Sequence, residues 1–259
     1  MAGSARAAVV TLRSPWIPRI GLIALFFCAW EIAARGFVDK MFLSPPSRVL
    51  ASLGEVMRTP GVLDALKQTF WELGAAFALS VALGVALGLA VGLRPFPRRS
   101  FMPIVLLLYG MPQITILPLF ILYFGIGPAS KIAFGVSHGV FPVIVTTVAG
   151  VQNLKPILVL SARAMGASRL QMLRWVVFPH MIPTFFAGLR LAMSGVLLGV
   201  LLAELYVSQS GIGHFTTLFT QSLEPTKLLG LIALLAAMAI FLNEVVRRAE
   251  RRFDHYRSG

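Results

Sequence analysis

From residue 73 to residue 93 the chain carries no charged side chain. A helix of that length rises about 31 Å, the hydrocarbon thickness of a bilayer. Backbone groups in hydrocarbon find no water to bond, so a segment that crosses there closes its hydrogen bonds internally as a helix. This clearest span is placed at about 70–93, and five further apolar stretches read the same way, at about 17–34, 101–124, 132–150, 183–207 and 227–246. The chain is 57% apolar and only 13% charged, with a mean hydropathy of +0.82. Those values exclude an ordinary water-soluble domain and predict an all-α integral membrane protein of six transmembrane helices.

The net charge of +13 raises nucleic acid as a partner. Its basic residues, however, lie between the apolar runs and form no soluble face, so they read as topology signals and no nucleic-acid partner is expected. Sixteen of the 23 Lys and Arg fall in one set of alternate loops and in the termini, including Arg94, Arg98, Arg99, Arg163, Arg169, Arg174 and the cluster from Arg247 to Arg257. The other side holds Arg35, Lys40, Arg48, Arg58, Lys67, Lys131 and Lys227. The positive-inside rule then puts both termini of this multi-pass protein in the cytoplasm. A secretory signal is the competing reading of the first apolar run, but that run leads into no small-residue cleavage site. Cys28 is the single cysteine, so neither an internal disulfide nor a cysteine metal cluster is expected.

Punctuation inside the spans is informative. The third contains Pro103, Pro112 and Pro118, which predicts a kinked or broken helix. Gly84, Gly88 and Gly92 recur every fourth residue and predict a close helix contact, with a neighbour in the same chain or in a second copy. In the first outer loop, Ser47 is the expected N-cap of an amphipathic helix carrying Val49, Leu50, Leu53, Val56 and Met57, ended by Thr59-Pro-Gly. That helix reads as interfacial cover for the bundle or as a contact for a delivering partner.

Between the fourth and fifth spans lies Ser161-Ala-Arg-Ala-Met-Gly-Ala-Ser-Arg-Leu-Gln-Met, followed by Val176-Val-Phe-Pro179. Among small or helix-compatible residues that include Ser161, Ser168 and Gln171, Ala162, Ala164 and Ala167 give a low-relief face, and Arg163 and Arg169 can reach carboxylates or carbonyls. Gly166 permits a tight turn or a close approach between two short helices. Such a unit fits a groove on another protein. A solvated loop beside anionic lipid is the competing reading.

Polar residues within apolar runs are the pathway candidates, because an unpaired polar group in lipid is costly. They are Gln113 and Thr115, with the neighbouring Met111, at the break of the third span, and Glu204, Ser208, Gln209, Ser210 and His214 at the outer end of the fifth. Glu204 reads as a gate residue or as the partner of a buried cation. The stretch from Ser208 to His214 reads as an outer gate or as a simple turn around Gly211 and Gly213. His138 is a ligand candidate or a histidine satisfied by an internal hydrogen bond.

From about residue 66 to residue 246 the sequence resembles the binding-protein-dependent permeases of the nitrate, sulfonate and taurine type in ATP-binding cassette importers. The matching strings, in order, are Pro112-Gln-Ile-Thr-Ile-Leu-Pro-Leu-Phe, Phe124-Gly-Ile-Gly-Pro-Ala-Ser-Lys-Ile, Phe141-Pro-Val-Ile-Val-Thr-Thr-Val-Ala-Gly-Val, the Gly166 loop with Pro179, Gly188-Leu-Arg190, Ala203-Glu204 and Ser210-Gly-Ile-Gly213. The resemblance implies a type I importer permease fold and a second permease copy, giving a homodimer. It further implies two separate ATPases carrying ATP and Mg, an extracytoplasmic substrate-binding protein, and a small anionic nutrient such as a sulfonate, nitrate or taurine-like acid. It makes the Gly166 loop, at about 155–182, the ATPase-coupling element. Residues 1–65 then hold a tail, the first span and the outer amphipathic segment, 66–246 the five-helix core, and 247–259 a basic tail. Leu160 stands where the family carries a glutamate, and Val176 and Phe178 where isoleucine and leucine are usual.

No enzymatic activity or cofactor is expected of the chain itself, since it has no phosphate-binding loop: in the nearest string, from Gly125 to Lys131, Ser130 stands where the second glycine belongs. An intramembrane serine protease fails on Ser208-Gln-Ser-Gly211, which lacks the leading glycine, and on a last span without histidine. An ion-coupled carrier, the remaining alternative, needs titratable groups grouped in the membrane.

Overall fold

A computed structural model describes residues 16–36, 43–207 and 209–253, and every described element is helical. Arg6, Arg13, Lys40 and Arg257 of the topology count, and Ser208, lie outside these residues. The helices are α1 (Trp16–Gly36), α2 (Pro46–Arg58), α3 (Val62–Gly92), α4 (Pro95–Gly110), α5 (Leu117–Phe124), α6 (Pro128–Gln152), α7 (Pro156–Ala164), α8 (Arg169–Met172), α9 (Phe178–Val207), α10 (Ile212–Gln221) and α11 (Pro225–Arg251). Gln113–Ile116 forms a 3-10 turn before α5, and Leu173–Val177 a π-helical turn before α9.

Among the described residues four helices are long and apolar enough to cross a membrane: α3, α6, the run Arg169–Tyr206 and α11. The pair Pro95–Gly110 and Gln113–Phe124, bent by 88°, adds a fifth if it is one span. Proline explains the bend. Pro112 ends α4's register in an extended conformation, and Pro118 restarts a helix in its first turn, where its missing N–H costs nothing. The expected broken third span is thus two helices and a 3-10 turn. Boundaries moved elsewhere: α3 begins at Val62 and not near residue 70, and α9 begins at Phe178 and not near 183.

The chain divides into two compact units, one of Met1–Thr59 with Phe219–Ala233, the other of Pro60–Leu218 with Leu234–Gly259. In the first, Ser47 is not the N-cap of α2. Pro45 holds that position with Pro46 next, and the freed Ser47 N–H donates to Glu31 at 3.1 Å while its hydroxyl donates to the same carboxylate at 2.7 Å. A carboxylate from α1 therefore satisfies an orphan donor of α2, as a helix N-terminus favours. Ser44 and Ser52 bond the Thr226 hydroxyl and carbonyl, at 2.6 and 3.2 Å.

The second unit is built around α6, which packs on both α3 and α9. The contact on the Gly84 face is inside this chain. A methyl group built on Gly84 would lie 2.5 Å from Val143 Cβ and one on Gly88 2.6 Å from Thr147 Cβ, so only glycine admits α6 this closely. Leu79, Leu83 and Leu87 point the other way and are about half exposed. Small residues inward and leucines outward is the pattern of a helix whose outer face meets lipid. Leu73, Ala76, Ile182, Phe186, Met193, Val196 and Val200 form the core with Met238, Leu242 and Val246 of α11.

Candidate functional site

Three features of the second unit bear on function, and the first is the elbow between α6 and α9. Helix α7 ends on Gly166 at φ +75°, with Ala167 N–H donating to the Ala162 carbonyl and Gly166 N–H to that of Arg163, both at 3.0 Å. This pair of bonds is a Schellman cap, and the left-handed residue it requires is cheap only for glycine. No atom lies within 4 Å of a methyl group placed on Gly166, so the glycine serves a tight turn and not a close approach. Two residues on, Ser168 caps α8 reciprocally with Gln171: the Gln171 N–H donates to Ser168 Oγ at 3.3 Å and the Ser168 N–H to Gln171 Oε1 at 2.8 Å.

With its backbone fixed this way, the elbow keeps Ser161, Arg163, Ala164, Ser168, Arg169 and Gln171 exposed, Ala167 half-buried, and only Ala162 as its buried anchor. A groove of about 450 Å³ runs along it, lined among others by Ser161, Met165, Trp175 and Pro179. Met165 and Trp175 are 81% and 70% exposed, large apolar groups unusual in a solvated loop. His180, which sequence reasoning did not single out, donates its ring N–H to the Asn153 carbonyl at 2.9 Å and ties the start of α9 to the end of α6.

A buried charge cluster is the second feature, and of it sequence reasoning foresaw only a cation partner for Glu204. Lys131 Nζ lies 2.6 Å from Glu72 Oε1 and 3.8 Å from Glu204 Oε1, with all three side chains at most 2% exposed. The Thr69 hydroxyl donates to Glu204 Oε1 at 2.6 Å and itself accepts the Ile212 N–H at 3.0 Å, while Gly213 N–H donates to Glu204 Oε2 at 2.8 Å. The carboxylate thereby occupies the N-terminus of α10. Gly211 has φ +95°, and any side chain there would run into that carboxylate. Ala203-Glu204 and Ser210-Gly-Ile-Gly213, separate strings in the sequence, are one object in space.

This corrects one reading and decides between two others. Lys131 is no loop charge but a helix-borne ammonium inside the protein. Glu204 takes the second of its two readings, partner of a buried cation, and caps a helix as well. The available signal was Glu72, a carboxylate already inside the expected span at about 70–93, which was passed over in favour of the uncharged stretch that follows it.

The third feature is a cleft of about 410 Å³ at the α4–α5 break, where Met111 and Gln113 meet His138 of α6 and Ser194 of α9. Gln113 is 8% exposed and its Oε1 lies 3.2 Å from the Ser137 hydroxyl. His138 Nδ1 is 3.0 Å from the Phe134 carbonyl, the internal bond foreseen as one of its two readings. Thr115 turns away, exposed, its hydroxyl donating to the Pro112 carbonyl at 2.8 Å. Ser210 belongs to the charge cluster, 2.9 Å from Gln68 Nε2, whereas Gln209 is exposed and His214 half-buried beside Phe215.

Membrane-length apolar helices around a cleft, joined by a rigid exposed elbow, define a multi-pass membrane permease. Residues 80–256 match the family described as binding-protein-dependent transport system inner membrane component. The taurine transport system permease protein TauC of Escherichia coli (strain K12) is 30% identical over 242 residues, covering 90% of this chain and 87% of that protein. SsuC of Bacillus subtilis (strain 168), named for aliphatic sulfonates transport, is 26% identical over 250 residues, 95% of this chain and 90% of that one. In fold, the chain is similar to a bacterial ABC transporter involved in import of the acidic polysaccharide alginate, with a TM-score of 0.66 over 92% of this chain and 93% of the other, at 14% identity. The chain belongs to the binding-protein-dependent transport system inner membrane components, and it is the permease subunit of an ABC importer.

Proposed function

We propose that this permease imports a small sulfonate-type anion, receives it from an extracytoplasmic binding protein, and is driven through the Gly166 elbow by two ATPase subunits that carry the ATP and Mg. Two copies of the chain enclose the pathway, each with six spans and both termini in the cytoplasm. The observation that carries this reading is the elbow, whose two caps fix its backbone while Arg163, Met165, Arg169 and Trp175 stay exposed. Rigidity is what coupling requires, because a flexible loop would absorb the displacement imposed when the ATPases close. ATP and the loaded binding protein then favour one orientation of the bundle over the other. The substrate class is supported by the relatives named for taurine and aliphatic sulfonates. An ion-coupled carrier draws no support from Glu72, Lys131 and Glu204, which are buried and pair with one another.

Gly166→Val tests the coupling directly. A β-branched residue in the left-handed region costs about 1–3 kcal/mol, enough to displace the cap without unfolding spans that do not touch it. The assembled complex is expected to lose at least about tenfold in ATP-driven uptake, a loss of about 1.4 kcal/mol in coupling, while its ATPases still hydrolyse. Wild-type uptake in this variant would remove the elbow from the mechanism. Orientation is tested at Ser168, exposed on the same elbow. In a Cys28→Ser background, Ser168→Cys should react with an impermeant thiol reagent only in inside-out vesicles, and reaction in right-side-out cells would reverse the topology.

A further inference from the structure

We infer that the cleft where α1 meets α2 binds the phosphodiester of an anionic phospholipid, with an acyl chain lying along α1. The inference goes beyond the transport reading and takes from it only that α1 crosses the membrane. The cleft, of about 300 Å³, is lined by Ala34, Arg35, Pro45 and Arg48. Glu31, one turn before Arg35, organises it. Arg35 Nε donates to Glu31 Oε1 at 2.6 Å and Nη2 to the Ser47 hydroxyl oxygen at 3.2 Å, while Ser47 gives its own hydroxyl proton and its N–H to the same carboxylate. One edge of the guanidinium is thus clamped, and Nη1 has no protein partner among the described residues. The exposed Arg48 side chain has none there either. Glu31 offsets one of the two arginines, so the cleft keeps a single positive charge, the complement of one phosphodiester. Guanidinium groups hold phosphate oxygens through charge-assisted, often bidentate hydrogen bonds.

Position decides between a lipid and a soluble phosphate. Arg35 stands just past the apolar run at about 17–34, where hydrocarbon gives way to headgroups. Three, seven and ten residues back, on the same side of the helix, are Ile32, Cys28 and Leu25, all exposed. At 1.5 Å per residue this row descends about 15 Å from Arg35, room for much of an acyl chain. On α2, Leu50 is exposed two residues from Arg48, so both helices carry apolar surface to the edge of the charged cleft. A free phosphate uses the arginines and leaves that surface bare, whereas a phospholipid uses both. A zwitterionic headgroup brings its own cation to a cleft that already has one in excess, and an anionic headgroup does not.

The test uses the native Cys28, the chain's single cysteine. The assembled complex, labelled there with a bimane fluorophore, is placed in nanodiscs of mixed phosphatidylglycerol and phosphatidylcholine, and quenching is compared when one lipid or the other carries brominated acyl chains. Phosphatidylglycerol should be preferred about fivefold, the effect of one unbalanced arginine at a membrane surface. Arg48→Gln, which leaves the Glu31–Arg35 pair neutral, should bring the ratio to about one, and Arg48→Lys, which keeps the charge without the fork, should fall between. Arg58→Gln, at the far end of α2, should keep the wild-type ratio. A ratio of one in wild type, or a preference that survives Arg48→Gln, overturns the site. Millimolar glycerol 1-phosphate should leave the ratio unchanged; if it abolishes the preference, the cleft belongs to a soluble phosphate and the lipid is overturned. A ratio of one in wild type with weaker association of the substrate-binding protein in Arg48→Gln gives the cleft to that protein instead. Reaction of unlabelled Cys28 with a membrane-impermeant thiol reagent would place α1 outside the hydrocarbon and sink the six-span reading together with the site. An unreactive Cys28 with a ratio of one sinks the site alone.

Discussion

Lys131→Met is expected to destabilise the protein by about 3–5 kcal/mol, because it leaves two carboxylates buried with no cation between them. Both are sealed: Glu72 and Glu204 are 0% exposed. Glu72 loses its partner at 2.6 Å, and its second oxygen, Oε2, is already buried without a hydrogen bond. Glu204 retains Thr69 and Gly213 and suffers less. The penalty is therefore concentrated on Glu72, and Lys131→Met/Glu72→Gln should recover most of the loss by removing the stranded charge while keeping the shape. In thermal unfolding of the detergent-solubilised protein, the single variant should melt about 10 °C below wild type, with the double variant between them. A single variant with the wild-type midpoint would mean that Lys131 does not neutralise a buried carboxylate.

Gly88→Leu carries the next largest effect. Its first side-chain atom would already lie 2.6 Å from Thr147 Cβ and 3.2 Å from the Ile144 carbonyl oxygen, a backbone atom that cannot turn aside. Helices α3 and α6 must separate, and overpacking of that kind costs about 1–3 kcal/mol or more where the backbone has to shift. Gly74 is the internal control, on the same helix but with no atom within 4 Å of a methyl group built there. Gly74→Leu should leave both the yield of folded complex and its melting temperature close to wild type. Equal behaviour of the two variants would contradict the close α3–α6 contact.

The apolar runs and prolines made much of this architecture legible. Residues 73–93 required a membrane helix, and Pro112 and Pro118 required the third span to break. Gly166 was recognised from spacing, and its left-handed backbone at the end of α7 is why that position takes glycine. Site residues were legible in proportion to how local their partners are. Ser168 and Gln171 cap each other three positions apart and belong to one readable string. Glu72, Lys131 and Glu204 come from three helices, and nothing in the order of residues announces that they meet. Lys131 was misplaced for a related reason: close after Pro128, it sits where a loop charge is ordinary.

Sequence alone determined that the chain is helical and lies in a membrane, because hydrocarbon admits no unpaired backbone and the apolar lengths match its thickness. It also located the elbow, whose caps are made by neighbours in the chain. Tertiary structure alone decided what the polar residues inside the bundle do. Whether Glu204 faces a pathway or a lysine depends on which helix faces turn toward each other. That choice is made by glycines at contact points 50 or more residues apart, as between Gly84 and Val143, and such distances in sequence carry no local signal.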